Sequence, residues 1–152
     1  MKEFKVLIPD ECYQILEFNH EDLPGVAVVN SALKKFEPKE VFGWHLSVTL
    51  DLIDLIENGM PSADEVKVID TFGDYLNDNI KGSNKERPNG LFLARMTWNK
   101  TRELIWRIND PELADSFLNR IISNNSAPRQ FEFRMESDEE WKLTKWHLSD
   151  WT

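Results

Sequence analysis

The order of the periodic segments after residue 43 indicates an α+β protein with a ferredoxin-like, or split βαβ, core. Strand and helix periods follow one another there as strand, helix, strand, strand, helix, strand. Two helix caps and one tight hairpin turn separate these segments. Because the chain has 152 residues, the size of one domain, we expect a single antiparallel sheet with both helices on one face.

The predicted single domain, residues 1–152, has three parts. Residues 1–42 form an N-terminal β-hairpin extension that extends or covers the sheet, residues 43–136 form the ferredoxin-like core, and residues 137–152 form a tryptophan-rich tail. The tail has no single hydrophobic period, and we expect it to fold over the sheet, although tryptophan is also enriched at protein-binding sites. Its tryptophans are Trp141, Trp146 and Trp151.

Two short segments of the N-terminal part have the composition of strands. Residues 12–19 alternate between apolar and polar side chains, and residues 26–29 are rich in β-branched side chains, so together they predict a hairpin. Residues 21–25 predict the turn of this hairpin, with Pro24 and Gly25 as the residues that break the strand. Residues 30–36 fit either a short helix or a loop.

The core begins with the clearest alternation in the chain, at residues 44–52, which predicts a half-buried strand. Ser62 and Glu65 then form a capping box, in which each side chain satisfies a backbone N–H of the first helical turn. Gly82 is a typical stop signal for that helix. The predicted apolar stripe of this helix consists of Ile69, Phe72, Leu76 and Ile80.

A hairpin, a second helix and a last strand complete the core. Residues 91–98 and 102–108 predict two strands joined by a tight turn. Asp110 is a typical N-cap, and Pro111 suits the first helical position, where no N–H is needed. Residues 129–136 predict the last strand. The apolar stripe of the second helix consists of Leu113, Ala114, Phe117, Leu118, Ile121 and Ile122.

Acidic residues outnumber basic residues by 27 to 18, which gives a formal net charge of −9. Binding to nucleic acid or to anionic membranes depends on attraction to phosphates, so this charge argues against both as general partners. Three explanations for the acidic excess stay open, namely solubility, a basic protein partner, or bound cations. No stretch approaches the ~20 apolar residues of a membrane span, so the sequence predicts no membrane partner.

The charge is unevenly distributed along the chain. Residues 1–80 carry 6 basic and 16 acidic groups, whereas residues 81–107 carry 7 basic and 2 acidic groups, a net +5. This basic hairpin contains Trp98 and Trp106, and aromatic residues on a ferredoxin-like sheet stack bases in RNA-binding modules. The strand around Trp106 lacks the glycine and the aromatic residues of the RNA-binding motif. We therefore expect the tryptophans to pack in the sheet and the arginines to pair with nearby carboxylates.

Catalytic motifs are absent from the sequence, which contains no G-x-S-x-G, H-E-x-x-H, Walker lysine or C-x-x-C pattern and predicts no cofactor or metal. The histidines, His20, His45 and His147, are far apart, and we expect surface or edge positions for them. An enzyme of unknown reaction stays an alternative, and it needs distant groups such as His45 and Asp51 to meet in a pocket. The single cysteine, Cys12, excludes an internal disulfide and indicates a reducing, cytoplasmic location.

Two acidic clusters are candidate partner-binding sites. Asp70, Asp74 and Asp78 recur every four residues on the first predicted helix, away from its apolar stripe. Like charges at this spacing repel by about 0.2–0.5 kcal/mol per pair, so basic groups of a partner, or a cation, would stabilise the row. A solvated helix face is the alternative explanation. The second cluster, which fits either a helical cap or a loop, consists of Asp138, Glu139 and Glu140.

Five short motifs run through the chain in a characteristic order. They are Leu23-Pro24-Gly25 with Val28-Val29-Asn30 and Leu33, then Glu57-Asn58-Gly59-Met60-Pro61-Ser62, Thr97-Trp98-Asn99-Lys100-Thr101-Arg102-Glu103, Asp110-Pro111-Glu112, and Asp138-Glu139-Glu140-Trp141. Their order and spacing over residues 8–148 resemble the bacterial domain-of-unknown-function family 695, DUF695. Lys100 departs from the family pattern, where glycine is commoner, and so does Thr144, where tyrosine is usual.

The resemblance implies the split βαβ core and no known catalytic residues. Members and look-alikes of such small acidic α+β domains occur as immunity proteins beside bacterial toxins, and a related-looking fold occurs in an inhibitor of a ribonuclease. Both roles are protein-binding roles, and both come to this chain as analogies.

Charge and resemblance together predict a non-enzymatic immunity or inhibitor protein that binds and neutralises a cognate bacterial toxin or another basic protein. A nuclease is one candidate toxin, because its phosphate-binding groups are basic and an acidic protein can cover them. The alternatives are a protein-binding regulator of a cellular RNA-processing enzyme and an interaction domain without an inhibitory role. The expected contact residues are Asp70, Asp74 and Asp78, and secondly Asp138, Glu139 and Glu140.

Overall fold

An antiparallel sheet of six strands forms the centre of residues 6–149, the part of the chain that the computed structural model describes. The strands are β1 (Tyr13–His20), β2 (Leu23–Asn30), β3 (Trp44–Asp51), β4 (Gly90–Trp98), β5 (Thr101–Ile108) and β6 (Phe131–Ser137), and the helices are α1 (Ala63–Lys81) and α2 (Pro111–Asn124). The strands lie side by side in the order β1-β2-β4-β5-β3-β6, so the architecture is α+β. No helix of the described part is long and apolar enough to cross a membrane.

The N-terminal hairpin extends the sheet, because β1 pairs with β2 and β2 pairs with β4. The chain does turn within the predicted segment, residues 21–25, but Pro24 and Gly25 lie in β2 and do not break the strand. The chain reverses at Glu21 and Asp22, whose left-handed φ angles of 52° and 63° make a tight two-residue turn. Gly25 lies within β2 for a different reason: a Cβ there would lie 2.3 Å from Cζ of Phe18, so only glycine leaves room for that ring.

Both helices share one apolar core with one face of the sheet. Leu46 and Val48 of β3 and Trp106 of β5 are completely buried in this core. Alternate residues of a strand point to one face, which is why the alternating pattern of β3 supplies it. Two predicted stripe residues of α2, Leu113 and Ile122, are instead exposed, because they lie at the two margins of the stripe, where a helix on a sheet still faces solvent.

Both helices begin at their predicted caps, but one capping interaction differs from the prediction. Ser62 Oγ accepts the backbone N–H of Glu65 at 3.1 Å, and the Asp110 carboxylate accepts a backbone N–H of the first turn of α2 at 3.0 Å. The Glu65 side chain does not return the bond to Ser62. It is buried, and it accepts hydrogen bonds from Arg129 and from the backbone N–H of Ile53.

The opposite face of the sheet carries a second apolar core, which is covered by irregular segments. The 3-10 helices Ser31–Lys35 and Lys39–Phe42 contribute to it, as does the C-terminal tail. Trp141 of the tail is buried there and stacks on Phe36, with ring centroids 5.7 Å apart. The tail therefore packs against the sheet at Trp141, while Trp151 lies outside the described residues.

Candidate binding surface

The acidic row of α1 contains one residue that is paired within the protein and two that face solvent. Asp70 accepts a hydrogen bond from Arg102, and its carboxylate lies 3.6 Å from Arg95. Asp74 and Asp78 are exposed. A helix turns by about 100° per residue, so a spacing of four residues moves the row from the sheet side at Asp70 to solvent at Asp78. Asp74 and Asp78 thus present their carboxylates outward.

Arg102 explains the position of Asp70. The side chain of Arg102 is buried, and its Nε–H donates to Oγ1 of Thr97 at 3.1 Å. Burial and the nearby charge of Arg95 lower the pKa of Arg102, and the carboxylate of Asp70 opposes both effects. The partly exposed carboxylate of Asp70 supplies an acceptor for the buried guanidinium beside Thr97, so Asp70 has a structural task at this place.

Asp138, the first residue of the second acidic cluster, is also paired internally. Its side chain is 7% exposed, and Oδ2 accepts a hydrogen bond from Arg107 at 2.9 Å. The carboxylate also accepts two backbone N–H groups of the following turn, at 2.9 and 3.0 Å. Burial raises the pKa of Asp138, but the N–H of Leu143 and the guanidinium of Arg107 outweigh it and hold the pKa below its usual range. Glu139 and Glu140 are exposed.

Arg107 lies at the centre of a polar cluster on the second face of the sheet. Its guanidinium lies 4.8 Å from the centroid of the Trp141 ring, in a cation–π contact, and 3.2 Å from Nδ1 of His45. A guanidinium can only donate, so this nitrogen of His45 accepts. The expected surface or edge position of His45 is wrong, since the ring is buried beside Arg107.

The three histidines have different environments. Burial, together with the charge of Arg107, lowers the pKa of His45 to about 4. Burial also lowers the pKa of His147, to about 4. Both rings are therefore neutral at pH 7. His20 is exposed, and its ring lies edge-on to Trp98.

Two arginines of the basic hairpin are buried in ion pairs within the fold. Arg102 and Arg107 form the ion pairs described above, so the predicted pairing of these arginines with carboxylates is confirmed. Trp106 is completely buried, and the Nε1–H of Trp98 donates to the backbone carbonyl of His20 at 3.1 Å. Both tryptophans are held by contacts within the fold, as the packing explanation predicts.

His45 and Asp51 do not meet in a pocket. They lie near opposite ends of β3, about 20 Å apart at the usual rise per strand residue. A cavity of about 400 Å³ opens beside Asp51, where Arg129, Gln130 and Glu132 line it together with apolar side chains of α2. His45 is not part of it. Within residues 6–149, no group of three or more histidine, cysteine or acidic side chains is arranged to hold a metal ion.

The ion pair between Glu65 and Arg129 is a feature that sequence reasoning missed. The Nε–H of Arg129 donates to Oε2 of Glu65 at 2.9 Å, and a second guanidinium N–H donates to the other carboxylate oxygen. These bonds lower the pKa of the buried Glu65 against the effect of burial. The sequence pattern assigned Glu65 to the capping box of α1. Nothing in the sequence links Glu65 to Arg129, which lies 64 positions later.

An uncovered part of the sheet on the helix side is a second missed feature. Directly opposed residues share a face, and a row of them crosses the sheet from Leu104, in the helix-side core, through Arg95 and Val28 to Ile15. Asp70 of α1 meets this row at Arg95. Beyond it, Val28 is half-buried and Ile15 is 73% exposed. We call this apolar surface the β1–β2 strip, and it consists of Tyr13, Ile15, Val26 and Val28.

The fold and these surfaces define a small acidic α+β domain in which Arg102 and Arg107 form ion pairs within the fold. The model of DUF695, a family of unknown function, matches residues 14–146, so the chain belongs to this family. No curated protein and no solved structure matches the chain. Lys100 lies in the β4–β5 turn with a left-handed φ of 67°, a conformation that glycine adopts without strain.

Proposed function

We propose that this protein is a non-enzymatic immunity or inhibitor protein that binds a basic partner protein and neutralises it. The observation that carries the proposal is the arrangement of charge. Residues 81–107 are the region with net positive charge, and two of their arginines, Arg102 and Arg107, are buried in ion pairs. Asp74 and Asp78 stay exposed on α1. A partner therefore meets a predominantly acidic surface.

The partner that we propose is a cognate bacterial toxin, with a nuclease as the leading class. A nuclease exposes basic groups at its phosphate-binding site, and an acidic protein is steered onto such a surface by long-range attraction. Covering that surface blocks access of the nucleic acid without any chemistry by the inhibitor. The exposed carboxylates of the predicted contact set support this role, namely Asp74, Asp78, Glu139 and Glu140.

The surroundings of the histidines favour binding over catalysis. His45 is buried and held by Arg107, which keeps it neutral and away from any substrate. The cavity beside Asp51 is lined by Asp51 and Glu132, with no histidine or cysteine beside these carboxylates. Proton transfer needs such groups in mutual reach, so this cavity supports no particular reaction.

We also propose a ferredoxin-like topology for the part of the fold from β3 to β6. Its support is the order of elements, in which α1 follows β3 and α2 follows β5, and the strand order β4-β5-β3-β6. The hairpin of β1 and β2 then extends this core at β4. A cytoplasmic location of the protein belongs to the same proposal, and its support is the single cysteine, Cys12.

Co-expression with the product of the adjacent gene tests the proposed function. We expect that product to arrest growth when it is expressed alone, and this protein to relieve the arrest. The two purified proteins should form a complex at low salt that weakens as salt increases. Absence of both the complex and the relief would refute the toxin assignment, and recovery of a housekeeping RNA-processing enzyme as the sole partner would favour the regulator instead.

A charge-reversal pair locates the contact. With the complex in hand, we expect Asp74→Lys together with Asp78→Lys to slow association by about tenfold or more, since steering acts mainly on the association rate. The matched control is Glu112→Lys together with Asp115→Lys, which makes the same change of charge at two exposed carboxylates of α2. Equal association rates for the α1 variant and the unchanged protein would remove this helix face from the contact.

A further inference from the structure

We propose that the β1–β2 strip is the docking site for one amphipathic helix of the partner, with an apolar stripe and basic flanks. The inference rests on the proposed function and deepens it, because it names the surface and the chemistry of the element that binds. Ile15 is 73% exposed, Tyr13 is also exposed, and Val26 and Val28 are half-buried. These residues form a continuous apolar surface that no helix of the described chain covers.

The width of the strip matches a single helix. Helices with their side chains are about 10 Å across, and strands lie about 4.8 Å apart, so two helices cover about four strands. The sheet has six strands, and the cover by α1 reaches Arg95 of β4, where Asp70 meets it. The two remaining strands, β1 and β2, leave a surface about 10 Å wide, which one further helix fills.

The length of the strip sets the length of the docked helix. The strip runs from Tyr13, which lies opposite Asn30, to Val26, which lies opposite Glu17, so it is four residue steps or about 13 Å long. About nine residues of a helix span that distance, and the ends of a longer helix extend beyond the apolar surface. At the end near the C-terminus of α1, an ion pair between Lys81 and Glu11, 2.9 Å long, limits the strip.

The charges beside the strip select a basic helix. Glu17 lies on the same face of β1 and is exposed, and Asp74 is exposed on α1, so each long side of the strip has a carboxylate. Arg95, on the same face of the sheet, lies 3.6 Å from the carboxylate of Asp70, which offsets part of its charge. Lysines and arginines flanking an apolar stripe would therefore meet negative charge on both sides.

The same charges disfavour a second copy of this chain as the occupant. Two strips placed face to face would bring Glu17 and Asp74 of each copy close to those of the other, and each chain has a formal net charge of −9. Like charges opposed in an interface are destabilising. A basic partner removes this repulsion, so the strip fits a different protein better than itself.

The test uses a defined probe, an 18-residue helical peptide of leucine, alanine and lysine with leucines in one stripe. We expect it to shift the methyl signals of Ile15, Val26 and Val28 in NMR spectra of the full-length protein, with weaker binding at higher salt. A peptide of the same composition in scrambled order tests the need for the stripe. A peptide with glutamate in place of lysine tests the need for basic flanks, and neither should bind at the strip.

Two matched variants test the location. Ile15→Lys replaces an exposed apolar residue of the strip, and Leu113→Lys makes the same change at the exposed margin of α2. We expect Ile15→Lys to weaken peptide binding by about tenfold or more, because an anchor residue at the centre of an interface carries much of the affinity. Leu113→Lys should bind as the unchanged protein does. Equal binding by both variants, or methyl signals that instead depend on protein concentration through self-association, would overturn the proposal.

The two proposals fail in distinguishable ways. If the adjacent gene product binds Ile15→Lys and the unchanged protein equally well, the strip is refuted while the inhibitor role stands. If the peptide binds at the strip but the adjacent gene product neither binds nor arrests growth, the docking surface stands and the toxin assignment fails.

Discussion

Arg102 and Arg107 lie five residues apart on β5 and point to opposite faces of the sheet, and each pairs with an aspartate from a distant part of the chain. Arg102 pairs with Asp70 beside the β1–β2 strip, where the aspartate side chain is 42% exposed. Arg107 pairs with Asp138 under the tail, where the aspartate side chain is 7% exposed. The same type of ion pair, arginine with aspartate, thus lies at the surface on one face of the sheet and in the interior on the other.

The difference teaches what each acidic cluster can do. On the tail face, Asp138 is enclosed by Arg107 and by two backbone N–H groups, so its main role is to fasten the tail to the sheet. On the helix face, Asp70 still reaches solvent and is followed along α1 by the exposed Asp74. Acidic residues next to each other in sequence therefore divide into structural and surface groups according to burial.

The largest expected effect is on the tail side. Arg107→Ala should lower the free energy of unfolding by about 3–5 kcal/mol, because it leaves the carboxylate of Asp138 buried without its charged partner. Urea unfolding followed by tryptophan fluorescence measures the change. Arg107→Lys keeps the charge but loses the planar contact with Trp141 and the forked hydrogen bonds. Its free energy of unfolding should lie between those of Arg107→Ala and the unchanged protein. A loss below about 1 kcal/mol in Arg107→Ala would mean that the tail is held by other contacts.

Lowering the pH should also reduce the stability of the protein through groups on the tail side, by less than Arg107→Ala does. The pKa values of His45 and His147 are about 4 in the folded protein, and the value in an unfolded chain is about 6.5. Between these values the unfolded state binds more protons, so stability falls as pH is lowered from about 6.5 to about 4. We expect a loss of about 2 kcal/mol across this window, after allowance for solvent screening.

Urea unfolding at several pH values measures this loss. His147→Asn should reduce the dependence on pH, because it removes one of the two rings whose pKa burial lowers. Stability that stays constant between pH 6.5 and pH 4 would contradict the neutral, buried state of the two rings.

The smallest effect is expected on the helix side. Asp70→Asn should cost about 1 kcal/mol, since the pair is partly exposed and Arg102 keeps its bond to Thr97. Asp74→Asn, one turn later and exposed, should change stability by less than about 0.5 kcal/mol. Thermal unfolding of both variants checks the contrast, and equal effects would show that Asp70 is no more structural than Asp74.

Much of the architecture could be predicted from local patterns. The alternation of β3, the stripe of α1 and the caps at Ser62 and Asp110 depend on residues a few positions apart, and the structure has all of them. The turn after β1 could be predicted only as a segment. Residues 21–25 contain it, but the chain reverses at Glu21 and Asp22, and Pro24 and Gly25 belong to β2, where Gly25 leaves room for the ring of Phe18.

The sequence predicts which acidic residues form the candidate site, but not which of them are paired within the protein. The row of Asp70, Asp74 and Asp78 follows from helical spacing, but the sequence does not say which member is paired. That pairing depends on Arg102 and Arg95, which reach α1 only because β4 and β5 lie beneath it. The β1–β2 strip likewise exists because two strands extend the sheet beyond the cover of the helices.

The α+β class, the helix and strand periods and the acidic net charge of −9 follow from the order of the residues alone. The tertiary structure alone decided which charges are internal. Glu65 with Arg129 and Arg107 with Asp138 lie 64 and 31 positions apart and meet through the packing of the sheet. Hydrophobic periodicity acts between neighbours in sequence, whereas ion pairs and uncovered faces depend on which distant segments are brought together in space.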